Sequence, residues 1–336
     1  MIVDLLPTED QAAIRDSANS ALSRSFPVSR LHGTEAFAAG MERAKWSDLA
    51  GLGLFGLGVN ADMGGIGCTI AEEVTVAREL GRFLISPSVL ATMLAAHLAP
   101  QNILNGIVEG RLRVAFANRI AQGSLPTSSA IDVQLLDAES AGFALIWDSE
   151  RTLLCPLAKD LPGEKLEAID ETVSLKRYTL DTASSIANQE GSAGARRASL
   201  ILAAYLTGIA EATVAMAVDY AQTREQFGQP IGAFQAIKHY CAEMARRSEA
   251  AASQTFYAAI ESTVREDDDL FEAACAMLIA GEASAYNARH NIQIHGGMGF
   301  TYEADAHLFL KRALLISQIN SGQRQEQMRI MNGRPS

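Results

Sequence analysis

Ala198 to Val218 reads ASLILAAYLTGIAEATVAMAV, and so apolar a run has two possible homes, a bilayer or the inside of a protein. Glu211 interrupts it, and Ala, Gly and Thr recur along it. A helix buried inside a bundle accounts for both properties better than a membrane span does. The run lies within a longer helical pattern at 194–224, and further long helices are expected at 234–264, 268–294 and 304–331. REDDDL, at 265–270, fits the loop and start between two of them, because carboxylates suit a helix N-terminus. With 48% hydrophobic and 20% charged residues, the chain can bury a sizeable core.

Ahead of the bundle, residues 1 to about 105 also read as helical. Thr8 with Gln11 three residues later forms a capping box, and Ser86-Pro87 starts another helix. A Gly-rich turn runs from Gly58 to Thr69. Near Arg111 the pattern changes to short runs rich in Val, Leu, Phe and Tyr, divided by Gly, Pro, Ser and Asp: RVAFAN, DVQLLDA, FALIWD, TLLCPL and VSLKRYTL. These predict a small β unit at about 111–183. The fold class is α+β, mostly α: an N-terminal helical domain (1–110), a middle β domain (111–185) and a C-terminal four-helix bundle (186–336).

The net charge is −11, and no basic stripe of the kind a nucleic-acid binder needs is visible. The short basic runs Arg196-Arg197, Arg246-Arg247 and Lys311-Arg312 read mostly as solvated helix faces. Cys68, Cys155, Cys241 and Cys275 are far apart, which suits single buried thiols in a reducing compartment. No metal site is expected. The N-terminus is acidic and lacks a signal-peptide core, so a cytoplasmic protein without membrane insertion is expected.

Two helix breaks carry more chemistry than a plain loop needs. In TREQFGQPIGAFQ, Arg224 can grip a phosphate in bidentate fashion, and Phe227 can lie against an adenine or ribose. Gly228 permits positive φ, Pro230 stops the helix, and Gln235, expected one turn into the next helix, offers an amide. In NIQIHGGMGFTYEADAH, Gln293 offers another amide, and Gly296, Gly297 and Gly299 allow close approach of backbone N–H groups to a pyrophosphate. Taken alone, the first break also fits an ordinary turn with a surface arginine and a core phenylalanine, and the second a plain loop between helices.

Together, YAQTREQFGQPIGAFQAIKHYCAEM and QIHGGMGFTYEADAHLFLKRA resemble the signatures of the acyl-CoA dehydrogenase family, as does DLAGLGLFGLGVNADMGGIGCTIAEEVTVARELGR nearer the N-terminus. The resemblance covers nearly the whole chain except 117–130. It implies the domain order given above, an FAD cofactor, and α,β-dehydrogenation of an acyl-CoA thioester with re-oxidation by an electron-transfer flavoprotein. It further implies that Arg224, Phe227, Gln235, Gln293, Gly296 and Gly297 contact the pyrophosphate and adenosine half of the FAD of a neighbouring subunit.

The departures from the family are equally specific. The Thr-Glu-Pro-x-x-Gly-Ser-Asp segment and the Trp-x-Thr stretch that face the flavin ring are missing, and RVAFANRIAQGSLPTSSAIDVQLL joins one strand directly to a later one. Trp147 lies downstream and reads as core packing. The usual catalytic glutamate position falls at or beside Asn320, and the alternative position near Ala198. Neither residue can accept the α-proton, which needs a positioned base. Glu303 is a weak substitute, Glu211 reads as a satisfied interior carboxylate, and Asp305, His295 and His307 read as structural. The resemblance therefore points to a base-lacking, FAD-contacting subunit, with a second acyl-CoA dehydrogenase-like subunit in an α2β2 assembly. A self-sufficient enzyme with an unusual base, as a homo-oligomer, and a non-enzymatic scaffold are the alternatives.

Overall fold

The computed structural model describes residues 5–33, 42, 44–120, 124–126, 129–264, 269–319 and 322–331. Its first part is helical: α1 (Glu9–Ser25), α2 (Trp46–Gly51), α3 (Ile70–Arg82), α4 (Pro87–Ala96) and α5 (Gln101–Val108). The starts follow from local chemistry. Thr8 Oγ1 accepts the Gln11 N–H at 3.2 Å while Gln11 Oε1 accepts the Thr8 N–H at 3.0 Å. Thr69 and Glu72 repeat that reciprocal cap on α3. Ser86 caps α4, with Pro87 at its first position, where a missing N–H costs nothing.

The middle part is a seven-stranded sheet in the order β5-β6-β2-β1-β3-β4-β7. The strands are β1 (Val114–Arg119), β2 (Ala130–Leu136), β3 (Phe143–Trp147), β4 (Arg151–Pro156), β5 (Glu164–Leu166), β6 (Leu175–Asp181) and β7 (Ala187–Glu190). Among the described residues, only β1 and β3 pair in parallel; Phe116 faces Leu145 on one side and Leu136 on the other. Strand alternation sends Val114, Phe116, Leu145 and Trp147 into the core shared with the helices, and Ala115, Val133, Ala144 and Ile146 to a second core. The five apolar runs seen in sequence are the inner strands. The two edge strands, EKL and ANQE, are short and polar, as exposed edges tend to be. For that reason pattern reading missed them, and β7 falls beyond residue 185.

The last part contains α6 (Ala193–Thr223), α7 (Gln235–Val264), α8 (Phe271–His295), α9 (Ala306–Ile316) and α10 (Gly322–Met331). The apolar run lies in α6, and 72% of its most apolar window is buried inside the protein, so it is a core helix. It packs closely on α3: a Cβ added at Gly208 would meet the Arg78 carbonyl at 1.9 Å, and one at Gly81 the Tyr205 carbonyl at 2.0 Å. The single helix expected at 304–331 is two. α9 ends at Ile316 with Ser317 as its C-cap and α10 begins at Gly322; Asn320 and Ser321 lie outside the described residues, and Ser, Asn and Gly are poor helix formers. Residues 265–268 of the acidic run lie outside the described residues, but Asp269 accepts the Phe271 N–H at 2.8 Å at the start of α8.

Candidate functional site

Because α6, α7 and α8 alternate in direction, the end of α6, the start of α7 and the end of α8 share one end of the bundle. Tyr220, in the last turn of α6, stacks on His295, the last residue of α8, with ring centroids 4.1 Å apart. Ile231, Ile237 and Cys241 pack beneath against Ala217, Ala221, Met244 and Ile294. The two sequence motifs are thereby joined into one surface.

The Arg224 segment is a small hairpin. β8 (Glu225–Gln226) pairs with β9 (Gln229–Pro230), and the Arg224 carbonyl accepts the Ile231 N–H at 2.8 Å. Phe227 and Gly228 form the two-residue turn, with φ of 54° and 76°. Positive φ at both positions gives the turn whose twist matches a tight hairpin. Gly228 takes this conformation freely, but Phe227 does so under strain and is 91% exposed. Gln235 is the first residue of α7, one turn earlier than its sequence placement, because Ile231–Ala233 forms a separate 3-10 turn. Arg224, Gln235, Gln293 and Gly297 are exposed, and Gly296 is half-buried with φ 60°. Nothing approaches within 4 Å of where a Cβ would sit on Gly296 or Gly297. A guanidinium, two amides, an aromatic face and bare backbone thus point outward together, a set suited to a phosphate and an aromatic base.

The positions considered for a base lie elsewhere. Ala198 is buried and lines a cavity of about 220 Å³ between the sheet, α4 and the start of α6, with Trp147, His97 and Arg197 also in its wall. Trp147 is core packing as well, edge-on to Phe116 at 5.5 Å. Asn320 and Ser321 lie outside the described residues. Glu303 is exposed, and its own N–H and the Thr301 hydroxyl hold its carboxyl below the usual range, which weakens it as a base. Glu211 accepts from Arg78 Nε and Nη2 and is approached by Arg82 at 3.5 Å, a satisfied carboxylate. Asp305 meets His32 Nε2 at 2.5 Å. His295 Nδ1 lies 2.8 Å from the Asn291 carbonyl oxygen, and burial lowers the pKa of His307.

One expectation is overturned outright: Arg312 is no solvated residue. Its side chain is 1% exposed and spends its donors on Asp170 (2.5 Å), Thr172 (2.9 Å), the Tyr205 hydroxyl (2.7 Å) and the carbonyls of Leu84 (2.8 Å) and Ile85 (2.9 Å). It ties α9 and α6 to the segment before α4 and to the loop before β6. Beside it, Asp137 accepts from the Ser86 hydroxyl at 2.5 Å and the Ser174 N–H at 2.8 Å. Burial first, and the Glu42 charge next, push Asp137 up to about 7 against the Ser86 hydrogen bond and the Arg312 charge. A basic dipeptide on a helix carries no sign of this partnership, because every partner is distant in sequence.

Sequence families agree with this architecture. Residues 8–106 match the acyl-CoA dehydrogenase N-terminal domain and residues 194–334 the acyl-CoA dehydrogenase C-terminal domain. The chain belongs to the acyl-CoA dehydrogenase family. It is 28% identical over 316 residues to the acyl-CoA dehydrogenase IpdE2 of Mycobacterium tuberculosis, covering 92% of each. It is 33% identical over 323 residues to the acyl-CoA dehydrogenase FadE34 of the same organism, where 91% of this chain spans 45% of that protein. Among solved structures, the Tcur3481-Tcur3483 steroid acyl-CoA dehydrogenase superposes with a TM-score of 0.84 at 23% identity over 96% of this chain and 97% of that one. A chain of the ChsE4-ChsE5 complex from Mycobacterium tuberculosis superposes with a TM-score of 0.80 at 20% identity over 99% of this chain and 100% of the other. These last two likenesses are of fold.

Proposed function

We propose that this chain is the subunit of a hetero-oligomeric acyl-CoA dehydrogenase that contacts FAD but supplies no base. The observation behind this reading is a split within one chain. The side chains that the family resemblance assigns to FAD, Arg224, Phe227, Gln235 and Gln293, are all exposed, whereas the buried position beside the cavity carries only the methyl of Ala198.

In this reading Arg224 holds the pyrophosphate, Phe227 lies against the adenosine, and Gln235 and Gln293 donate amide hydrogen bonds. Gly296 and Gly297 let backbone N–H groups approach the phosphates, since no Cβ intervenes. FAD, when bound, supplies the hydride acceptor for α,β-dehydrogenation of an acyl-CoA thioester. A second acyl-CoA dehydrogenase-like subunit, in an α2β2 arrangement, provides the flavin-ring pocket and the glutamate for the α-proton. The two-protein names of the similar structures, Tcur3481-Tcur3483 and ChsE4-ChsE5, support an unlike partner, and the first, a steroid acyl-CoA dehydrogenase, supports a steroid acyl-CoA as substrate class. An electron-transfer flavoprotein is the expected electron acceptor of the assembly.

The test is purification of the chain alone and together with the product of an adjacent dehydrogenase-like gene, reading flavin absorbance and acyl-CoA oxidation. FAD and turnover are expected only in the joint sample, and Arg224→Ala there should lose the flavin. Stoichiometric FAD with turnover from the chain alone sinks the proposal. FAD in neither sample favours a scaffold.

A further inference from the structure

Asn287, on α8, is a polar residue that is 0% exposed. Its Nδ2 reaches both neighbouring helices: the Ala210 carbonyl of α6 at 3.2 Å, and the Met244 carbonyl and Ser248 Oγ of α7 at 3.0 and 2.9 Å. Carbonyls only accept, so the amide nitrogen and not its oxygen must face them. Oδ1 is thereby turned away, with no hydrogen-bond partner among the described residues. A buried acceptor left unpaired costs free energy, so an apolar side chain of the same size would serve stability as well or better. What the amide adds is direction.

Direction matters because the surfaces around it are smooth. α6 and α8 pack on each other, and α8 buries Ala276, Ala280, Gly281, Ala283, Ser284 and Ala288. Packed helices hold their register where ridges of one fit grooves of the other, and small side chains make shallow ridges. An amide bonded to groups on two neighbouring helices fits in one register only, as a single buried Asn does in a coiled coil. Gln254 and Glu272 also join α7 to α8, at 2.7 Å, but at the opposite end of α8.

Asn287 precedes Gln293, Gly296 and Gly297 on the way to the bundle end, where Arg224 caps α6 and Gln235 starts α7. A slip of α8 by one residue would shift these groups by about 1.5 Å and turn them by about 100°. A preorganised binding site holds its groups to within about 0.5 Å. We propose that Asn287 is a positioning residue: its amide fixes how far α8 is slid and turned against α6 and α7, and so holds Gln293, Gly296 and Gly297 in place relative to Arg224 and Gln235. The role rests on the FAD reading of that end, but the register itself can be tested without flavin.

The flavin-free readout is the His295 ring, which stacks on Tyr220 of α6 at 4.1 Å and feels its ring current. In NMR spectra of the full chain alone, the His295 ring signal is assigned by its loss in His295→Gln. In Asn287→Leu it should move to the position of an unstacked histidine, while the melting temperature stays the same or rises. In the two-subunit sample Asn287→Leu should lose flavin, with Arg224→Ala as the control. Flavin lost by Arg224→Ala but kept by Asn287→Leu overturns the positioning role, as does an unmoved His295 signal in folded Asn287→Leu. Flavin kept by both variants counts against the FAD reading instead, and the His295 signal alone then decides whether Asn287 sets the register. If leucine prevents folding, Asn287→Ala is read in the same way; failure of both to fold makes Asn287 a stabilising residue and overturns the proposal.

Discussion

Arg312 and Arg224 lie in one chain under opposite conditions. Around Arg312 the donors are taken up by partners from distant parts of the sequence, and the guanidinium is buried. At the bundle end, Arg224 is exposed, as are Phe227, Gln235 and Gln293 beside it. The first region is complete within the chain and holds its parts together. The second lies at the surface and is the region that the proposed function assigns to FAD. Two arginines of similar appearance in sequence thus differ in how far the chain buries them among its own groups.

The comparison is broken most directly at its buried side. Arg312→Met would leave Asp170 as an uncompensated carboxylate that is 1% exposed. Removing one partner of a buried ion pair costs about 3–5 kcal/mol. A fall of that size in unfolding free energy is expected from urea titration. A change below about 1 kcal/mol would show that the junction is not what couples these parts.

How far these regions could be read in sequence differs for a physical reason. Helix starts at Thr8 and Ser86, the apolar α6 and the inner strands follow from local rules of capping and alternation. The outward motifs were legible because both lie within short stretches whose residue types are unusual for turns. Arg312, Asp170 and Tyr205 were not, since their meaning is a contact across more than a hundred residues. The break at Phe227-Gly228 is legible as more than a plain loop, but its hairpin is not, because Phe in a positive-φ turn runs against its intrinsic preference. The end of α9 is hard to read because the apolar pattern on either side of SQINSG continues a helical period.

Asp137 gives the junction a pH signature that the exposed end should lack. Its pKa in the folded protein, about 7, lies above the ordinary 3.8. A raised pKa means that the folded state holds this proton more tightly. Its stabilising contribution is therefore full below about pH 4 and is lost as pH rises through about 7. Asp137→Asn should flatten stability between those values and gain on the order of 2 kcal/mol over the parent at pH 8. Parallel stability profiles for the two proteins would mean that Asp137 does not carry this titration.

Phe227 tests the opposite side. With φ at 54° and 91% exposure, it holds strain without burial in return. Phe227→Gly should leave stability unchanged or raise it by up to about 1 kcal/mol, as relief of the left-handed conformation offsets the greater freedom of the unfolded chain. The same change should weaken flavin retention in the two-subunit sample. A destabilised chain would instead assign Phe227 a structural part, and unaltered flavin retention would remove it from the nucleotide grip.

The smallest effect on folding is expected at Arg224, and there the contrast with Arg312 is sharpest. Arg224 is exposed at the end of α6, where its N–H is already satisfied by the Tyr220 carbonyl at 2.8 Å, a bond that alanine keeps. Arg224 is the C-cap of α6, but the capping bond is from the backbone, so as a surface substitution outside any buried network Arg224→Ala should stay within about 0.5 kcal/mol in urea titration. Flavin content of the joint sample should nevertheless fall, because alanine offers a phosphate no donor, and Arg224→Lys should restore it only in part, having lost the bidentate fork. If instead Arg224→Ala unfolds the chain as readily as Arg312→Met, the guanidinium has an internal partner, and the division between a self-contained junction and an outward-facing grip no longer holds.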